Sequence, residues 1–251
     1  QGVDTDWQDV FFKQGLITDN TVSVSGGSPN SSYLLSANYF FQDGTVIGPS
    51  FRRYQIRANT EMKRGKFTIG QTLNLSRTNE TRLNGNPFID IIRLLPTIPV
   101  EDPSVPGGFG IGDPNNNTFG GNVVGLQRLI NNTQVGNRIL GTLYGEYRIL
   151  PYLTYRLQGS LEAFNYFDQE KRRSGRLSQN APVDPSRLSE SRGEVFNPQI
   201  ENTLTFNKDF GVHHVDALAG YTFYSQKRRF TTAITNGLPG EFWVPRAGTI
   251  A

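Results

Sequence analysis

Three stretches hold residues that could do chemistry. His213 and His214 adjoin, Gly108-Phe109-Gly110-Ile111-Gly112 is glycine-rich, and Asp113, Asn115 and Asn117 take every second position as calcium ligands do. Each lacks part of its setting. Neighbouring residues on a strand point to opposite faces, so the two histidines do not share one metal. The glycine run has no strand leading into it and no helix after it, both of which a phosphate-cradling fingerprint needs, so a loop is expected. In the Asp113 stretch the sixth position is Thr118 rather than Gly, and the twelfth is Val124 rather than Glu. Asx-turn chemistry is then the default, with partial cation ligation by an outer loop left open. Ser25-Gly26-Gly27 ends a strand and forms no nucleophile elbow. Cysteine is absent, which removes disulfides, zinc knuckles and thiol nucleophiles. The sequons at Asn30, Asn79, Asn116 and Asn131 are what Asn- and Ser-rich turns produce by chance. No catalytic, cofactor-binding or metal residue is assigned, and no enzyme is expected.

The elements that would position such residues read as strands. Apolar residues make up 36% of the chain and aromatics 12%. That is less apolar bulk than the roughly 45–50% of soluble domains, with too many rings for disorder. Tyr33, Leu35, Ala37, Tyr39 and Phe41 alternate with Ser36, Asn38 and Gln42; Tyr54, Ile56 and Ala58 alternate with Arg53, Gln55, Arg57 and Asn59. The same period of two recurs in about eight segments up to Phe223. Short turns (27–31, 63–66, 150–151, 207–212) alternate with longer links at 43–50, 79–136 and 168–194, which predicts an up-and-down antiparallel sheet with tight turns at one end and long outer loops at the other. Residues 1–19 read as a lead-in.

Such alternation suits a soluble sandwich or an outer-membrane barrel. Arginines and glutamates on the polar face, and aromatics bunched at both strand ends, favour the barrel. No apolar run of about 18 residues could cross a bilayer as a helix; the nearest, 88–100, is broken by Asp90, Arg93, Pro96 and Pro99. The net charge of +3 is mild. The basic clusters 171–173 and 227–229 sit at strand ends, so no nucleic-acid partner is expected.

Several segments resemble the SusC/RagA-type TonB-linked outer-membrane transporters. These are TDWQDVFFKQG at 5–15, TVSVSGG with SSYLLSANYFFQDGTVIGPSFRRYQIRAN, LLPTIPVEDP at 94–103, NRILGTLYGEYRILPYLTYRLQGSLE at 137–162 and ENTLTFNKDFGVHHVDALAGYTF at 201–223. The resemblance implies an all-β, up-and-down transmembrane β-barrel of about 22 strands with a plugged lumen. The chain would supply the barrel's N-terminal part, as a multi-pass protein of the cell outer membrane. It implies outer-membrane lipid, a SusD-like lipoprotein and TonB as partners, TonB acting through a segment not seen in this chain. Uptake of glycans or peptides follows, with an oligosaccharide or peptide substrate and no cofactor. The long loops would meet substrate or the lipoprotein lid through Phe88, Phe109, Phe119 and Arg128, since rings stack on sugars and Arg forks onto carboxylates. Parity places Arg53, Gln55, Arg57 and Asn59 towards the lumen. The rival readings are a small outer-membrane barrel serving as adhesin or structural anchor, and a soluble carbohydrate-binding β-domain. Expressed alone, open strand edges would aggregate.

Overall fold

The computed structural model describes residues 2–113, 120–240 and 242–250. Its strands are β1 (Ile17–Ser28), β2 (Ser31–Asp43), β3 (Ser50–Arg64), β4 (Phe67–Thr81), β5 (Ile130–Leu150), β6 (Leu153–Arg172), β7 (Arg187–Phe210), β8 (His213–Tyr224), β9 (Lys227–Asn236) and β10 (Thr249–Ile250). The helices α1 (Trp7–Phe11), α2 (Phe88–Ile91) and α3 (Val123–Leu129) are short and lie outside the sheet.

All ten strands join one antiparallel sheet, with β1 to β7 in chain order. β8 and β9 share the outer edge of β7: β8 pairs with 199–210 and β9 with 187–196. The gap between them faces Pro198, which has no N–H to give a ladder; its carbonyl still accepts from the Ser225 amide at 3.1 Å. In effect β8 and β9 are one edge strand interrupted opposite a proline.

Register carries the alternation across the sheet, with one irregularity between Arg148 and Leu150 at the β5–β6 turn. Val22, Ala37, Ile56, Leu75, Ile139, Ala163 and Phe196 form one cross-strand row on the apolar face. Asn59, Thr72, Thr142, Ser160 and Gln199 form a row on the polar face. A shift of one residue anywhere would carry a whole strand's apolar set to the wrong side. Most large residues of the apolar face, including Val22, Ile56, Phe67 and Leu143, are exposed.

The expected barrel is corrected. Closure requires the first and last strands to pair, and among the described residues β1 pairs only with β2, while β8 and β9 pair only with β7 and β10. The fold is an open antiparallel sheet. A transmembrane β-barrel, the chain as that barrel's N-terminal part, multi-pass insertion in the outer membrane and the importer-barrel function all depended on closure, and they fall with it. No described helix is long and apolar enough to cross a membrane. The aromatic clusters also divide differently from two belts. At the turn end, Phe67 and Tyr147 (4.6 Å between centroids) share the apolar face, whereas at the loop end Phe164 and Tyr166 (5.7 Å) lie on the polar one.

Glycines opposite tyrosines pin the register. Tyr144 pairs with Gly70 and lays its ring over it, so that a Cβ on Gly70 would clash with the phenol end of the ring. Tyr33 covers Gly26 and Tyr166 covers Gly193 in the same way. From its place over Gly70, Tyr144 donates its hydroxyl to Glu61 at 2.6 Å, and the Arg156 guanidinium stacks on the ring at 3.8 Å. The hydrogen bond to Glu61, followed by burial, pushes the Tyr144 phenol up to about 12; the same bond holds Glu61 below its ordinary value.

Candidate functional site

The packed core lies at the long-loop end. Trp7, Phe11, Val46, Ile91, Leu94, Ile98, Phe109, Val123, Val124 and Leu129 form one buried cluster, drawn from the N-terminal segment and the links after β2 and β4. This layer gives the loop end rigidity that solvated loops lack.

The N-terminal segment packs into that layer. Asp6 caps α1 by accepting from the Gln8 and Asp9 amides (3.0 and 3.1 Å). The helix buries Trp7, 3% exposed, and Phe11, fully buried. Trp7 donates its indole N–H to the Leu95 carbonyl (3.0 Å), and Thr5 donates its hydroxyl to the Ile98 carbonyl (2.8 Å). An Ile47 amide bond to the Phe11 carbonyl (3.0 Å) ties the segment to the β2–β3 link.

Asn122 ties the long loop together from inside. Its Nδ2 donates to the Val100 and Gly110 carbonyls, both at 2.9 Å, while Oδ1 accepts from the Gly125 amide at 2.8 Å and so caps α3. Asn84 and Gln127 form a second clasp: Gln127 Oε1 accepts from the Asn84 amide and its Nε2 donates to the Asn84 carbonyl, both at 2.9 Å. Asn84 Nδ2 reaches the Ile130 carbonyl at 2.7 Å. The glycine run serves this packing: Gly110 approaches the Pro99 carbonyl too closely for a Cβ, and Phe109 is buried against Gly125.

The residues expected to meet a ligand are placed unequally. Phe88 opens α2 with its ring 48% exposed, whereas Phe109 is in the core, 7% exposed, and presents no face to solvent. Arg128 stands in the last turn of α3 and pairs with Glu101 at 2.5 Å. Phe119 lies outside the described residues, as do Asn115, Asn117 and Thr118 of the calcium-like stretch and the sequon Asn116. No group of three or more metal-ligating side chains occurs among the described residues.

Arg53, Gln55, Arg57 and Asn59 share the polar face of β3. Gln55 donates to Asn74 (3.0 Å) and Arg53 to Asn38 (3.4 Å). Arg53 also stacks on Phe40 at 5.4 Å. Arg53 Nε and Asn59 Oδ1 are buried and make no hydrogen bond. These groups come from three neighbouring strands on the polar side.

His214, beyond the β7–β8 turn, is clamped rather than metal-ligating. Nδ1 lies 2.6 Å from Asp209 and Nε2 2.7 Å from Asp216. The bond to Asp209, followed by the charge of Asp216, raises its pKa above the ordinary 6.5. A pKa raised in the folded state adds stability that is fully present below the unfolded value and is lost as pH rises through the folded one. An NMR titration should therefore find the His214 midpoint above 6.5, returning towards 6.5 in the double variant Asp209→Asn, Asp216→Asn. A midpoint at or below 6.5 in the unaltered chain would contradict the clamp.

This arrangement of open sheet and loop layer is similar to part of a TonB-dependent receptor. The chain is 29% identical over 237 residues to the TonB-dependent receptor P3 of Formosa agariphila, which covers 87% of the chain and 22% of that receptor. It is 40% identical to the TonB-dependent receptor SusC of Bacteroides thetaiotaomicron over 55 residues, which are 22% of the chain and 6% of SusC. The fold superposes on the RagAB peptide importer in its closed-closed state with a TM-score of 0.80 at 18% identity, covering all of this chain and 29% of the importer chain. No family model matches. The chain thus spans about a fifth of the length of P3. These relatives are receptors and transporters, and the chain is not an enzyme.

Proposed function

We propose that the chain is a non-enzymatic binding segment of a nutrient-uptake protein: an open antiparallel sheet whose loop layer receives an oligosaccharide or a peptide. The observation that carries this reading is the position of the core. The buried rings lock the long links to one another and to the N-terminal segment, and preorganised loops lose less entropy on binding than free ones. Similarity to the P3 receptor and to the RagAB peptide importer supports an uptake role.

Within the layer, Phe88 offers a half-exposed ring and Arg128 a guanidinium. The Arg128–Glu101 pair is more than half exposed on both sides, so exchanging it for a ligand carboxylate costs little. A SusD-like lipoprotein resting on the loop layer, membrane lipid against the exposed apolar face and TonB as energy donor are further partners that fit this reading.

The test is calorimetric titration of the full chain, held in mild detergent to shield the apolar face, with neutral and acidic oligosaccharides and short peptides. At least one should bind, and Arg128→Ala with Phe88→Ala should weaken it about tenfold, in line with loss of one charge-assisted hydrogen bond and a ring contact. Affinity unchanged in both variants, or no binding across the panel, would overturn the reading.

A further inference from the structure

The ends of β4, α3 and β6 converge because β5, which α3 leads into, lies between β4 and β6. Their convergence encloses a cleft of about 450 Å³, lined by Arg82, Arg128, Lys171 and Arg173 together with the amide clasp of Asn84 and Gln127 and the ring of Trp243. Among the described residues, no carboxylate lines it. The volume is in the range of small-molecule sites.

The charges are unequally answered. Arg82 meets Asp168 at 3.2 Å and Glu80 at 3.4 Å, and Arg128 meets Glu101. Lys171 and Arg173 have no ion pair among the described residues. Arg173 donates through Nη2 to the Arg128 carbonyl at 2.8 Å, and its amide bonds the Leu129 carbonyl at 2.9 Å, which fixes its guanidinium at the cleft wall. With Arg82 and Arg128 already paired, Lys171 and Arg173 are the two cations that repel each other and leave a positive potential in the concavity. An anion relieves that repulsion, and the fixed guanidinium presents a fork suited to a planar carboxylate. The part-buried Trp243 ring adds an apolar face beside the charges, a combination that favours a carboxylate carried on a ring or an apolar side chain over a bare anion.

We propose that this cleft binds a carboxylate-bearing ligand, either an acidic oligosaccharide or the free C-terminus of a peptide, with Lys171 and Arg173 taking the carboxylate and Trp243 packing on the adjoining ring or side chain. The proposal rests on the loop layer being the binding surface, and it gives that surface a ligand class.

Its test uses the full chain in mild detergent and two matched ligand pairs: trigalacturonate against neutral maltotriose, and a tripeptide acid against its C-terminal amide. Tryptophan fluorescence and calorimetry report binding. The acidic member of at least one pair should bind at least about tenfold tighter, and which pair shows the preference separates sugar from peptide as the source. K171A/R173A should erase the preference; Lys171→Gln alone, which leaves the Arg173 bond to the Arg128 carbonyl in place, should halve it or more and guards against a folding defect in the double variant. Equal affinity within both pairs, or a preference that survives in the double variant, would overturn the cationic cleft and leave the loop-layer reading standing. No binding of any of the four ligands would overturn both.

Discussion

Replacing Phe11 by alanine should cost about 3–5 kcal/mol, the usual range for a buried phenylalanine, and should release the loop layer. The ring is fully buried in the cluster, and the surrounding shell is held by backbone bonds that resist collapse into the cavity. The Ile47 amide bonds the Phe11 carbonyl, the Lys13 amide bonds the Thr45 carbonyl (2.9 Å), and Phe12 bridges Val46. Denaturant unfolding in detergent, followed by Trp7 fluorescence, gives the cost. Amide exchange at Ile91, Leu94 and Ile98 should accelerate while the β3–β4 ladder stays protected. A loss under about 1 kcal/mol would mean that the N-terminal segment merely leans on the layer.

The second large effect concerns one atom. Asn122→Asp keeps the oxygen that caps α3, and Asp caps a helix as well as Asn does. It removes the Nδ2 donor and sets a carboxylate oxygen against the Val100 and Gly110 carbonyls. With the residue fully buried, a charge facing two carbonyl oxygens that have lost this donor should cost about 3 kcal/mol or more. Asn122→Ser keeps a shorter cap without the charge and should cost less than Asp. If Asp were neutral and Ser the worse, the residue would be acting as a helix cap alone. Thermal melts of the three proteins at one pH decide between these outcomes.

Much of the sheet is legible in the sequence because a half-covered strand shows its geometry at every second residue. The shared face of Tyr54, Ile56 and Ala58, and the opposite face of Arg53, Gln55, Arg57 and Asn59, follow from parity; the pairings Tyr39–Tyr54 and Ile56–Leu75 are set by the register. The short-and-long rhythm of links also places the turns and the loop end. Closure is not legible, because alternation reports the two environments of a strand and not whether the first strand meets the last. Strand ends are misread where both faces are polar: Asn79-Glu80-Thr81, Asn131-Asn132 and 168–172 carry no alternation, yet β4, β5 and β6 run through them. The long loops consequently shrink to 82–129 and 173–186.

The loop core is hidden for another reason. Trp7 and Phe11 sit on a helix of five residues, too short to display a helical period, and their partners lie from about 35 to about 120 positions on. The cationic cleft draws on residues from 48 to 243, and of its four cations only Arg128 stands out in the sequence as a ligand contact. Lys171 and Arg173 read there as ordinary loop bases, because one-dimensional charge runs do not report which cations a fold brings into one cleft.

Hydrogen exchange across the whole chain, with and without trigalacturonate or the tripeptide acid, tests most directly whether the loop layer is the binding surface. Protection should appear in residues 82–101, 122–131 and 171–176, with β1–β3 unchanged. Protection centred on the polar face at 53–59, with the loop layer unaltered, would contradict the account and move the binding surface onto the sheet.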